Sequence, residues 1–155
     1  MSSASDLGPL ALRKKFAGVW RLNCYEIIAP NGKSGYPLGR DAIGILSYDE
    51  HGSMSGQLMS RHRPRYASGD MRKGTPVEIA SAVRGYLSYF GTYRIDPVEE
   101  TITHLVQGSL FPNWIGTEQK RHYHFTRTGL ILSAPFLLDG QPRTASLTWE
   151  RVRKP

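Results

Sequence analysis

The sequence predicts a mainly β protein, a single antiparallel barrel of eight strands with one α-helix covering the wall or the mouth. Composition is the first observation, because 16 glycines, 10 prolines, 8 tyrosines and 3 tryptophans in 155 residues suit many short strands joined by tight turns. The second is that Gly18-Val19-Trp20 near the start is matched by Trp149-Glu150-Arg151 in the last predicted strand. This pair indicates a barrel whose two ends meet. Eight strands enclose room for side chains or one small ligand.

The first half of the chain predicts a leader, three strands and a loop. Residues 1–12 are small and polar and predict a flexible leader, which leaves residues 13–155 as a single domain. The strands of a meander are expected at residues 19–28, 42–48 and 53–60. Asn31-Gly32 supplies the positive φ angles of the first turn. Residues 61–74, rich in Arg, Pro, Ser and Gly, predict a long loop.

The second half predicts one helix and five more strands. Thr75-Pro76-Val77-Glu78 combines an N-cap threonine, a proline at the first helical position and a glutamate at the third, which is a capping box. The helix is expected to run to Tyr89. Its apolar positions recur every three or four residues and predict a face that packs on the barrel wall or covers its mouth: Val77, Ala80, Val83, Leu87 and Phe90. The strands are expected at residues 91–95, 101–109, 116–126, 130–136 and 143–152.

Several classes of protein are disfavoured by what the sequence lacks. Cys24 is the only cysteine, so no internal disulfide is expected, and the N-terminus lacks the pattern of a secretory signal, so the expected location is the cytoplasm. No stretch approaches the ~20 apolar residues that span a bilayer, and no membrane insertion is expected. A glycine-rich phosphate loop and a nucleophile elbow are also missing, which disfavours nucleotide use and serine-hydrolase chemistry.

Five segments resemble the lipocalin-like domain family of small bacterial and fungal proteins, and together they extend over nearly the whole chain. They are residues 16–22, 36–39, 85–93, 109–116 and 148–151. The most specific is Ser109-Leu110-Phe111-Pro112-Asn113-Trp114. The resemblance implies a small barrel with an internal cavity, in which Trp20 plugs the closed end and Arg151 lies across its indole face. Such a cation–π contact contributes about 0.5–2 kcal/mol.

Alternation of side chains along each strand predicts which polar groups point into the barrel. His104 shares a face with Ile102 and Val106 and is expected inside. On the first strand Glu26 lies on the same face as Trp20 and is expected to point inside. On the sixth strand Arg121 shares a face with the aromatic residues Tyr123 and Phe125 and is also expected to point inside. His104, Glu26 and Arg121 are the candidate catalytic residues, with Tyr48, Tyr93 and Tyr123 as candidate ligand contacts. Phe111 and Trp114 are expected to wall one end of the cavity, to pack beneath the helix, or to form a dimer contact.

An acid, a histidine and an arginine in an apolar cavity predict general acid–base chemistry, because burial moves the pKa of Glu and His toward neutrality. The first hypothesis is therefore a cofactor-free isomerase, cyclase or lyase that acts on a hydrophobic oxygenated or anionic, natural-product-like intermediate. Glu26 or His104 would move the proton while Arg121 and a tyrosine hold the oxyanion. The second hypothesis is a carrier or sensor that binds such a compound unchanged. A purely structural alternative pairs Glu26 with Arg121 and lets His104 donate to a backbone carbonyl.

The net charge of +7 raises a third hypothesis, nucleic-acid binding. Basic residues crowd the long loop around Tyr66: Arg61, Arg63, Arg65, Arg72 and Lys73. No recognition motif accompanies this charge, so nucleic acid is disfavoured, and steering of an anionic ligand toward the cavity is preferred. His122 and His124 share a strand face, but further ligands at fixed spacing are missing, so no metal site is expected. The sequence leaves monomer and homodimer open.

Overall fold

Eight antiparallel strands pair in sequence order and the last pairs with the first, so the sheet closes into a barrel. The computed structural model describes residues 8–153. The nine strands are β1 (Gly18–Ile28), β2 (Ser34–Gly35), β3 (Ile43–Tyr48), β4 (Ser53–Met59), β5 (Tyr86–Asp96), β6 (Thr101–Ser109), β7 (Glu118–Phe125), β8 (Gly129–Leu138) and β9 (Gln141–Arg151). β2 is a short extra strand that pairs with the end of β1. The predicted fold class is confirmed.

A short helix, α1 (Pro9–Phe16), seals the end of the barrel where β1 begins. Leu12 and Phe16 of this helix are both 0% exposed. The Phe16 ring packs edge-on against Tyr48 and Tyr123, with ring centroids 5.6 and 5.0 Å away. Residues 9–12, expected in the flexible leader, are therefore helical and contribute to the core. Residues 1–7 of that expected leader lie outside the described residues.

The two ends of the barrel wall are joined around Trp20, which is buried and donates its indole N–H to the Phe16 carbonyl at 2.9 Å. The structure puts the Arg151 guanidinium carbon 4.1 Å from the centroid of the Trp20 ring. Arg151 also donates to the backbone carbonyls of Lys15 and Ala17. One side chain at the end of β9 therefore holds both β1 and α1.

The second helix, α2 (Pro76–Arg84), has the predicted capping box: the Thr75 hydroxyl accepts from the Glu78 amide, and the Glu78 carboxylate accepts from the Thr75 amide. It ends at Arg84 rather than Tyr89, because the next residues pair with β4 and begin β5. The predicted packing of its apolar face on the barrel is wrong. Val77 is 79% exposed, and Leu87 and Phe90 belong to the strand.

Membrane-spanning helices are absent from residues 8–153, since neither α1 nor α2 has the length and apolar content to cross a bilayer.

Candidate ligand-binding cavity

The barrel encloses a cavity of about 400 Å³. Its wall includes the end of β1, the start of β5 and the end of β8, which are the strand ends away from α1, so the mouth lies at the end opposite that helix. Most of the wall is apolar and includes Leu46, Leu58, Leu132, Ala145 and Leu147. The polar members are Tyr25, Tyr89, His104, Gln119 and Arg121. A cavity of this size and composition suits a small organic ligand.

His104 lies in the cavity wall on β6, is 1% exposed, and contacts two tyrosine hydroxyls. Its Nε2 is 2.6 Å from the Tyr48 hydroxyl oxygen, and its Nδ1 is 3.1 Å from the Tyr89 hydroxyl oxygen. Tyr89 lines the cavity, whereas Tyr48 lies behind the histidine. We call this arrangement the Tyr48–His104–Tyr89 chain.

The groups of this chain are neutral near pH 7. Burial, reinforced by the positive charge of Arg121, lowers the pKa of His104 to about 3. Burial raises the pKa of the Tyr48 hydroxyl well above its usual value and also raises the pKa of Tyr89, while Arg121 opposes both increases. The chain therefore consists of a neutral imidazole between two protonated phenols.

Arg121 brings a positive charge to the same cavity from β7. Its guanidinium donates to the Lys120 carbonyl at 3.1 Å and lies 3.4 Å from the Gln119 side-chain oxygen. Within the described part of the chain, no carboxylate lies within 4.0 Å of this guanidinium. A half-buried cation without an acidic partner can donate hydrogen bonds to an anionic or carbonyl oxygen.

The prediction that Glu26 points into the barrel is wrong. Its carboxylate accepts a hydrogen bond from the Ser34 hydroxyl at 2.7 Å, next to β2, and it does not line the cavity. The cause is a β-bulge between Leu22 and Cys24, where one extra residue reverses the alternation of side chains along β1. Tyr25 faces the cavity instead, and the alternative Glu26–Arg121 ion pair does not form.

The aromatic residues of the β6–β7 connection divide between cavity and surface. Trp114 lines the cavity and packs edge-on against Tyr89, with ring centroids 5.5 Å apart. Phe111 packs on Trp114 with ring centroids 6.0 Å apart, is exposed, and is not part of the wall. Only Trp114 of this pair is in position to touch a bound compound.

The three tyrosines expected to contact a ligand are buried but do not line the cavity. Tyr48 supports His104 from behind. Tyr93 donates its hydroxyl to the Asp49 carbonyl, and Tyr123 packs against Phe16. Their inward orientation was predicted, but they lie nearer to α1 than the cavity does. They belong to the packed core between α1 and the cavity.

The basic loop is held by local contacts. Arg61 pairs with Asp41 at 3.6 Å, and Arg72 pairs with its neighbour Asp70 at 3.0 Å. Arg63 lies over the Tyr86 ring, 4.9 Å from its centroid, and donates to a backbone carbonyl of α2. These contacts favour a structural role for much of the loop's charge. His122 and His124 are exposed on the outer face of β7.

Sequence reasoning missed four wall residues whose side chains can form hydrogen bonds, namely Tyr25, Tyr89, Gln119 and Trp149. Tyr89 had a usable signal, because Leu87, Tyr89, Gly91 and Tyr93 alternate with a period of two, as in a strand. The helical spacing of the preceding residues concealed it. Tyr25 had no comparable signal, since the bulge that turns it inward has no distinctive sequence.

Comparison with known proteins agrees with this architecture. The lipocalin-like domain family matches residues 17–152, and the chain belongs to that family. Among curated proteins it is similar to the 4'-hydroxy-3'-methoxypropiophenone carrier protein ppsC of Aspergillus oryzae. The two are 34% identical over 107 residues, which cover 64% of this chain and 96% of that protein. The family and this carrier relative support small-molecule binding by the chain.

Proposed function

We propose that this protein is a carrier that binds a small, hydrophobic, oxygenated compound in its barrel cavity and releases it unchanged. The observation that carries the proposal is the composition of the cavity wall. The wall is apolar over most of its area. Its charged group, Arg121, and the polar group of Tyr89 both lie beside His104. A wall of this kind favours a ligand with a hydrocarbon body and an oxygen atom at one place.

The size and chemistry of the wall favour an aromatic ligand. Trp114 and Trp149 both line the cavity, and aromatic side chains offer edge and face contacts to a ring. The carrier relative is named for an aryl ketone, which combines a ring with a carbonyl oxygen. A phenol or aryl ketone of similar size is therefore the class of ligand that we propose for this protein.

The hypothesis of a cofactor-free isomerase, cyclase or lyase has weaker support. General acid–base catalysis needs a group whose pKa lies near the working pH. The pKa of His104 is lowered to about 3, and Glu26 is outside the cavity. One observation still favours it as a second candidate: Arg121 and Tyr89 both line the cavity, as groups stabilising an oxyanion would.

The proposal predicts that 4'-hydroxy-3'-methoxypropiophenone and propiophenone stabilise the protein in thermal unfolding. A ligand at 100 times its Kd adds about 2.7 kcal/mol to the free energy of unfolding. Mass spectrometry of the ligand recovered after incubation should show it unchanged. A chemically altered ligand would favour the enzyme instead.

Two tryptophan substitutions on β9 locate the binding site. Ala145→Trp fills the cavity and should abolish the stabilisation. Ser146→Trp places the same ring on the outer face, since Ser146 pairs with the outward-facing Glu26, and should leave the stabilisation intact. Stabilisation that persists in Ala145→Trp, or is absent from the native protein, would contradict binding in the barrel.

A further inference from the structure

We propose that the Tyr48–His104–Tyr89 chain fixes Tyr89 as a hydrogen-bond donor toward the cavity, so that the cavity selects ligands with an acceptor oxygen, such as a carbonyl, phenolate or carboxylate. The inference rests on the proposed function and adds to it a specificity-determining residue and the polarity of the ligand group that this residue recognises. Tyr48 and His104 act as positioning residues behind Tyr89.

The two ring nitrogens of His104 set the direction of the hydrogen bonds in this chain. A neutral imidazole carries one N–H donor and one acceptor nitrogen. Both nitrogens contact a tyrosine hydroxyl, at 2.6 Å for Nε2 and 3.1 Å for Nδ1. Two arrangements of the protons are therefore available, one for each tautomer.

The tautomer with the proton on Nε2 leaves a buried group unsatisfied. In that arrangement His104 donates to the Tyr48 oxygen, and the hydroxyl proton of Tyr48 needs another acceptor. Tyr48 is buried, and among residues 8–153 its hydroxyl has no other hydrogen-bond partner. A buried O–H without an acceptor is destabilising, so this tautomer is disfavoured.

The tautomer with the proton on Nδ1 satisfies every buried member of the chain. Tyr48 donates to Nε2, and the Nδ1–H donates to the Tyr89 oxygen. The distances agree, because 2.6 Å is typical of a hydroxyl donor and 3.1 Å lies within the range of an N–H donor. The Tyr89 hydroxyl has no acceptor among the described residues and lines the cavity, so its proton is available to a ligand.

The other polar groups of the wall reinforce this polarity. Arg121 can only donate. Trp149 is buried, lines the cavity, and has an indole N–H without an acceptor in the described part of the chain. The Gln119 oxygen is oriented toward Arg121, at 3.4 Å. The Tyr25 hydroxyl can donate or accept a hydrogen bond, so it does not discriminate between donor and acceptor ligands. The remaining polar groups of the wall therefore favour a ligand that accepts hydrogen bonds.

The tautomer is measured directly by ¹⁵N NMR of the imidazole nitrogens, with His104→Ala used to assign the signals. We expect Nδ1 to carry the proton at pH 7 and Nε2 to show the shift of an unprotonated nitrogen. A proton on Nε2 would overturn the inference while leaving the proposed function standing. The tautomer is read from the native protein, and the variant serves only to identify the His104 signals.

Selection is measured with two probes of similar shape, propiophenone and propylbenzene, by calorimetric titration. The native protein should bind the ketone about tenfold more tightly, as expected for one added hydrogen bond. Tyr89→Phe should weaken binding of the ketone more than binding of propylbenzene and so reduce this preference. Tyr86→Phe is the matched control, because the Tyr86 hydroxyl bonds to Gln57 and does not line the cavity.

Tyr48→Phe tests whether the Tyr48 hydroxyl orients Tyr89 through His104 or whether the Tyr48 ring only packs in the core. Tyr48 does not line the cavity, yet the loss of its hydroxyl lifts the constraint on the His104 tautomer, so the ratio of ketone affinity to propylbenzene affinity should fall. An unchanged preference in Tyr48→Phe or in Tyr89→Phe would overturn the inference. Failure of both probes to bind the native protein would contradict the proposed function, and the NMR result would still decide the tautomer.

Discussion

At the residue scale, His104 shows how burial and hydrogen bonding together fix a protonation state. Both ring nitrogens contact tyrosine hydroxyls, and the side chain is almost inaccessible to water. Protonation would place an unpaired charge in the barrel and force one hydroxyl to give up its acceptor. The imidazole is therefore held neutral, with a pKa of about 3, as a component of the wall.

This state predicts a loss of stability as the pH falls. Because the pKa of His104 is about 3 in the folded protein and its ordinary value is 6.5, the unfolded chain binds the proton more readily between these values. The free energy of unfolding should fall by about 2 kcal/mol from pH 7 to pH 5 through this residue. Urea unfolding at the two pH values measures it.

His104→Gln keeps a polar side chain but cannot titrate, so its stability should change less over the same interval. His122→Gln removes an exposed histidine and should behave like the native protein. An equal pH dependence in the native protein and in His104→Gln would contradict the assignment.

Alternation along the strands correctly predicted that His104 and Arg121 line the cavity, because β6 and β7 are regular where these residues lie. It failed for Glu26, because a bulge at Asn23 reverses the register between the reference residue Trp20 and the site. A bulge depends on the fit between β1 and β9, which are far apart in sequence. Local pattern alone does not contain that information.

At the element scale, α1 was missed and α2 was extended too far. The spacing of Leu12 and Phe16, four residues apart, is a helical signal, but one helical turn of apolar residues is too short to distinguish from a leader. In α2 the capping box fixed the start. The helix ends where the residues from Tyr86 onward form hydrogen bonds to β4 instead. This pairing joins segments that are distant in sequence, so the helical periodicity of the segment alone does not predict it.

The role of α1 predicts a contrast between two identical substitutions. Leu12→Ala removes a side chain that is 0% exposed and should lower the free energy of unfolding by about 2–5 kcal/mol, through lost burial and the cavity left behind. Leu10→Ala changes a side chain that is 78% exposed and should stay within about 0.5 kcal/mol. Chemical denaturation of both variants measures the difference. Similar effects would contradict a sealing role for α1.

At the scale of the whole molecule, the closed barrel follows from features distributed along the chain. The turns, the glycine content and the two tryptophan motifs indicated eight strands and a meeting of the first and last, and the structure has both. The cavity could be expected only as a consequence of this class of fold. Its polar wall could be predicted only in part: alternation gave His104 and Arg121, whereas Tyr25 depends on the bulge in β1 and Tyr89 on where α2 ends and β5 begins.

Closure predicts a specific effect of Arg151→Lys. Lysine keeps the charge but loses the planar fork that stacks on Trp20 and bonds two carbonyls of the preceding segment. The free energy of unfolding should fall by about 1–3 kcal/mol. Arg153→Lys, two residues further along and exposed, should have little effect in the same denaturation experiment. Equal stability of the two variants would show that the barrel closes without this contact.

The position of α1 also determines how the protein can be attached to a surface. The described segment begins at α1 and ends after β9, and Val152 still bonds to Val19 at 2.9 Å, so its first and last residues both lie at the sealed end. The cavity opens at the opposite end, away from both. An immobilising linker placed after Arg153 would therefore orient every copy with its mouth toward the solution, which leaves the cavity free to exchange compounds on a sensor chip.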